Sequence, residues 1–144
     1  MRIYTIGFTK RTAQDFFETL ATAGVSKVVD VRLRSNSQLS AFAKVPDLPY
    51  FLNSLCGIGY EAEEMFAPTS ELLDAYKSKS ISWDSYANGY ESLIDARGAS
   101  QIDLSSLDGS CFLCSEYLPH KCHRRIAAEF LRSTSREEVE IIHL

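Results

Sequence analysis

Apolar positions along this chain change period several times, and each change marks an element. Residues 2–8 run Arg-Ile-Tyr-Thr-Ile-Gly-Phe, a nearly continuous apolar stretch that predicts a strand ended by Gly7. Thr12 then stands as an N-cap, with Asp15 three residues on as a variant of the capping box. Ala13, Phe16, Phe17, Leu20 and Ala21 follow helical spacing, and Gly24 marks the stop. Residues 25–33 predict a second strand, with Val28, Val29 and Val31 as its β-branched core. A strand, a helix and a strand with short joints predict a parallel pair with a right-handed crossover.

Residues 34–48 carry Ser35, Asn36, Ser37 and Pro46 and predict a long loop, a feature that in a compact domain is usually functional or mobile. Short helices are predicted over 50–55, closed by Gly57, and over 71–76. Ser82 caps a longer helix whose Trp83, Tyr86, Tyr90, Leu93 and Ile94 share one face, with Gly98 after it. At helical spacing such aromatics predict core packing rather than a base-stacking platform. A third strand is expected over 110–114, a last helix over 122–132 and a closing strand over 139–144. The sum is one domain, residues 1–144: an α/β three-layer sandwich around a small, mainly parallel four-stranded sheet in the order 2-1-3-4, by analogy with small doubly wound folds. In that order the switch point lies between the first and third strands. Gly7 to Thr9 then face Cys114 to Glu116 across a crevice, with Asp30 and Arg32 at the end of the neighbouring strand.

Composition adds bounds. The 144 residues are 45% hydrophobic and 24% charged, ordinary for a globular domain. No apolar run approaches the roughly 20 residues of a membrane helix, and the N-terminal stretch lacks the marks of a signal peptide, so a cytoplasmic protein with no membrane partner is expected. The four cysteines, Cys56, Cys111, Cys114 and Cys122, are then free thiols, metal ligands or catalytic groups rather than disulfides. The net charge of −4 is uneven: basic side chains outnumber acidic ones before residue 45, and acidic ones dominate 45–110. Such a balance argues against non-specific duplex binding but suits a pocket for a small anion.

The densest chemistry lies in Cys114-Ser-Glu116-Tyr-Leu-Pro-His120-Lys-Cys122-His123-Arg124-Arg125, at a strand-to-helix turn. Cys111, Cys114, Cys122 and His123 resemble a zinc set, but on a strand Cys111 and Cys114 point to opposite faces, and adjacent Cys122 and His123 are awkward partners at a helix start. No metal and no cofactor are therefore expected. Cys114, near a helix N-terminus and basic groups, is a candidate thiolate; the alternative is a core-facing cysteine. Glu116 is an acid, base or hydroxyl-binding carboxylate, or else the ion-pair partner of Arg124. His123 is an acid/base or a satisfied half-buried histidine. Arg124 is the first choice for an anion, through its forked donors, while Arg125 and His120 face solvent. Asp30 and Arg32 share a strand face and either pair with each other and Arg124 or point into the site. Thr9 and Cys122 support it.

The chain also resembles a known family, the domain of unknown function numbered 488. The residues that carry the likeness are Ile3-Tyr4-Thr5-Ile6-Gly7, Asp30-Val31-Arg32, Gly57-Ile58-Gly59-Tyr60 and Cys114-x-Glu116-x5-Cys122-His123-Arg124. The resemblance implies an α/β fold with these motifs at one site; it supplies no activity. Phe8 stands where the family commonly has a histidine, and Ser35 and Ser37-Gln38 where it tends to have a proline and a Ser-Arg pair. One imidazole and one guanidinium are thus missing from the implied site. The expectation is an enzyme, or former enzyme, acting on a phosphate-bearing small molecule or nucleic-acid fragment, with Cys114, Glu116 and His123 catalytic and Arg32 and Arg124 holding the anion. The alternative is a non-catalytic module that binds nucleic acid or a partner and keeps a structural Cys/His cluster.

Overall fold

In the computed structural model, which describes residues 1–36 and 40–144, the most apolar runs become the middle of a parallel sheet. Strand β1 (Arg2–Gly7) is buried beyond its first residue, and β4 (Ser110–Cys114) is buried throughout. Between them in the chain come β2 (Lys27–Asp30) and β3 (Gly59–Ala62), and β5 (Glu140–His143) closes it. All pairings are parallel, and the order is β3-β2-β4-β1-β5.

The expected four-strand order 2-1-3-4 is therefore corrected twice. β4 inserts between β2 and β1 because its Cys111-Phe112-Leu113 run, with no exposed position, needs cover on both faces and a neighbour on each side. β3 escaped notice because four residues, Gly-Tyr-Glu-Ala, mostly exposed on an edge, carry no apolar alternation. It aligns Tyr60 with Val28 and Ala62 with Asp30.

Helices cover both faces. On one side α1 (Ala13–Ala23) and α2 (Asp47–Phe51) bury Phe16, Phe17, Leu20 and Leu48 against Tyr4, Ile6, Val28, Cys111 and Leu113. On the other, α4 (Trp83–Ala96) and α5 (His123–Thr134) bury Tyr90, Ile94, Ala127 and Leu131 against Ile3, Val29, Phe112 and Cys114; α3 (Ser70–Lys77) leans on the same side through Leu72. Successive residues of β4 thus serve opposite cores, as the strand period requires.

The helix ends follow local chemistry. The Thr12 and Ser82 side chains accept from the backbone N–H of Asp15 and Ser85, and Gly24 closes α1 in the left-handed region at φ 75°. The helix expected over 50–55 begins earlier, at Asp47, and runs into a wide turn over Leu52–Cys56 that Gly57 ends at φ 64°. That start, and a tight turn at Ala41–Ala43, give structure to the stretch read as loop; Ser37 and Gln38 lie outside the described residues. Among the described residues no helix is long and apolar enough to cross a membrane.

Candidate functional site

β1 and β2 lead to helices on one face, whereas β4 leads to α5 on the other. The crevice that such a switch creates therefore opens at the carboxyl end of β4, flanked by both neighbours. Gly7 is paired with Cys114 there. A Cβ on Gly7 would stand 1.6 Å from the carbonyl oxygen of Glu116, so only glycine lets the β4–α5 loop pass. Thr9 holds the same loop, its hydroxyl donating to the Ser115 carbonyl at 2.8 Å and its N–H to the same oxygen at 3.2 Å.

Arg124 completes the clamp. It is fully buried, and its guanidinium donates to the backbone carbonyls of Glu116 and Tyr117 and, at 3.4 Å, to the Thr5 hydroxyl. It does not line the pocket described below. The first-choice anion ligand is thus a loop clamp, engaged by protein acceptors. Its partner at Glu116 is the main-chain oxygen rather than the carboxylate, so the exposed Glu116 side chain stays at the pocket rim. His120 is exposed, and Arg125 is half-buried, donating to the His120 carbonyl at 2.9 Å.

Cys114, Cys122 and His123 converge. Cys122 is the extended N-cap of α5 (φ −138°, ψ 135°) and His123 its first residue, so both neighbours turn their side chains to β4. Their adjacency is no obstacle, because the two residues have different backbone conformations. The Cys114 sulfur lies 3.6 Å from His123 Nδ1. His123 Nε2 lies 3.7 Å from the same sulfur and 2.7 Å from the Val31 carbonyl oxygen; a carbonyl only accepts, so Nε2 carries the hydrogen and Nδ1 is the nitrogen left with a lone pair. The Cys114 thiol is held below its ordinary pKa, first by the S–H bond from Cys122; the Ser115 N–H and the charges of Arg124 and Arg32 add to this against desolvation. Burial, and the same bond to Cys114, push Cys122 well up. The ligating atoms of Cys114, Cys122 and His123 all lie within 4.8 Å of one another, a buried set that can hold a soft metal ion. Cys111 faces the other core and cannot join it.

Asp30 and Arg32 pair with each other. Arg32 donates to the Asp30 carboxylate from its N–H, Nε and Nη2 at 3.1, 2.9 and 2.8 Å, and the Tyr60 hydroxyl donates to Asp30 at 2.7 Å. Burial and this carboxylate raise the Tyr60 pKa well above the ordinary range. Phe8 lays its ring 5.3 Å from the Arg32 guanidinium carbon, a cation–π contact where the family resemblance implied an imidazole. Arg32 Nη1 is buried and has no hydrogen-bond partner among the described residues.

A cavity of about 240 Å³ opens beside this cluster. Cys114, His123, Arg32, Thr9, Glu116 and Cys122 line it, together with side chains that the motifs did not single out for the site. Tyr60, which is outside the lining and meets the site through Asp30, belongs to the Gly57–Tyr60 motif; Lys77, Lys121 and Tyr76, which do line the cavity, carry no local signal. A larger, open hollow of about 850 Å³ lies among Arg2, Tyr4, Asp108 and Glu140, and neither cysteine nor histidine lines it.

Residues 12–131 match the model of a family described as "Domain of unknown function DUF488". No curated protein matches the chain, and no solved structure does.

Proposed function

The chain belongs to the DUF488 family, and on that premise we propose that it is an enzyme whose Cys114 thiolate attacks a small, phosphate-bearing substrate held beside Arg32. The observation that carries this reading is the Cys114–His123 pair on the cavity wall, with Nδ1 3.6 Å from the sulfur and Nε2 fixed by Val31. His123 Nδ1 takes the thiol proton and the sulfur lone pair forms the new bond; the leaving group departs with its electron pair and receives that proton. Cys122 donates its S–H to the thiolate before attack. Arg32, oriented by Asp30 and with Nη1 free of other partners among the described residues, is the anion ligand. Glu116 at the rim is the base for a water or acceptor hydroxyl.

Alkylation of Cys114 by iodoacetamide, followed against pH by peptide mass mapping, tests this reading. The rate is expected to level off below the ordinary cysteine pKa of about 8.5, to fall in His123→Gln, and to slow with inorganic phosphate. A rate that climbs through an ordinary thiol pKa, with no protection by phosphate, overturns it. The convergence of three donors within 4.8 Å favours a second reading, a non-catalytic binding module with a structural Cys/His cluster. One zinc per purified chain, with loss of the fold on chelation, supports that reading over the first.

A further inference from the structure

We propose that the ligand of this cavity is a planar aromatic anion, a ring carrying a phosphate, with the ring seated on the Tyr76–Trp83 wall and the charge met by the basic side chains of the lining. The inference rests on the proposed role of the Cys114 pocket and narrows its substrate class.

Two independent features of the lining point to it. The first is charge. Arg32, Arg34, Lys77 and Lys121 line the cavity against the single carboxylate of Glu116, in a chain whose net charge is −4. Arg34 has a partner in Asp74 at 3.6 Å, but Arg32 is nearly inaccessible and its Nη1 has no partner among the described residues. A buried donor left without an acceptor costs free energy that an anion removes.

The second feature is the aromatic wall. Tyr76, Trp83 and Tyr86 form a triangle with ring centroids 5.0 to 5.5 Å apart, and all three line the cavity. Core packing accounts for Tyr86 and Tyr90, which are 2% and 0% exposed. Trp83 also packs against that core, but it and Tyr76 are only part-buried where they line the cavity. Flat rings beside a cluster of cations suit a ligand with one π-face and one negative end, since stacking is indifferent to ring identity.

The chain's single tryptophan is Trp83, so its fluorescence reports on this wall alone. The probes are adenosine 5′-monophosphate and phenyl phosphate, each paired with a ringless counterpart, ribose 5-phosphate and inorganic phosphate, and with adenosine as the ring without charge. Saturable quenching is expected from both ring-bearing phosphates, at least tenfold tighter than from their counterparts or adenosine. Tyr76→Leu, at a part-exposed position and checked for folding by circular dichroism, is expected to weaken the ring-bearing probes about tenfold, the effect of losing one stacking partner, and to leave ribose 5-phosphate unchanged. Calorimetry on the same probes guards against a silent fluorophore. If ringless phosphates bind as tightly as ring-bearing ones, or if neither class binds, the inference falls. The outcomes separate from those of the alkylation test. A reactive, phosphate-protected Cys114 with no gain from the ring sinks this inference alone. Tight ring binding beside an ordinary thiol sinks the nucleophile alone.

Discussion

Gly7 shows how much one residue can decide. Its missing Cβ is the space through which the Glu116 carbonyl passes to reach Arg124. The obstacle is backbone on both sides, so a methyl group there cannot be absorbed by turning a side chain. Gly7→Ala is expected to cost about 1–3 kcal/mol or more of stability, the usual range for overpacking, read as a lower urea midpoint. It should also loosen the Cys114–His123 pair, read as slower alkylation of Cys114 in folded protein. The two buried arginines contrast at this scale. Arg124 has its donors satisfied by Thr5, Glu116 and Tyr117, whereas Arg32 is held by Asp30 and its Nη1 meets no acceptor among the described residues. Both were legible as candidates because charge at a buried strand or helix end demands a partner. Which one is available to a ligand depends on carbonyls that no motif reveals.

At the scale of elements, helix boundaries read well and the edge strands read unevenly. Thr12 and Ser82 cap α1 and α4 through contacts three residues away, which is information held in a short window. β5 is tied to the site by a longer relay. Arg124 Nε donates to the Thr5 hydroxyl, which lies 2.7 Å from His143 Nδ1 and donates to it when the ring is neutral. Burial and the Arg124 charge hold the His143 pKa below its ordinary value of 6.5. The folded state thus prefers the neutral ring. This contribution is fully present above pH 6.5 and is lost as the pH falls through the lower, folded value. Urea midpoints between pH 7.5 and 5 are expected to decline, because the unfolded state binds more protons there, and His143→Gln is expected to flatten the decline. An equal slope in both proteins would remove the relay from the account.

Across the whole molecule, the sheet order decides where chemistry can occur. With β4 in the centre, its carboxyl end meets β1 on one side and β2 on the other, so Gly7, Asp30 and Arg32 all approach Cys114. In the expected order β2 would have been one strand further from β4. Hydrogen exchange checks the arrangement: the amides of Phe112 and Leu113 are expected to be the slowest of the sheet and those of β3 among the fastest, since protection follows burial and pairing. Slow exchange in β3 with fast exchange in β4 would contradict the order.

What the chain determined by itself was everything that depends on neighbours in sequence: the α/β class, the parallel pattern, the caps, the separation of Cys111 from Cys114 onto opposite faces, and the concentration of reactive groups at one strand-to-helix turn. Tertiary structure alone decided the position of β4, the strand role of Gly59–Ala62, the conversion of Arg124 into a clamp and the aromatic wall of the cavity. The tautomer of His123 is set by the Val31 carbonyl, 92 residues away. The division is physical. Periodicity and capping are satisfied within one or two turns of chain, whereas strand order and the pairing of buried polar groups are fixed only when distant segments compete for the same cover and the same donors.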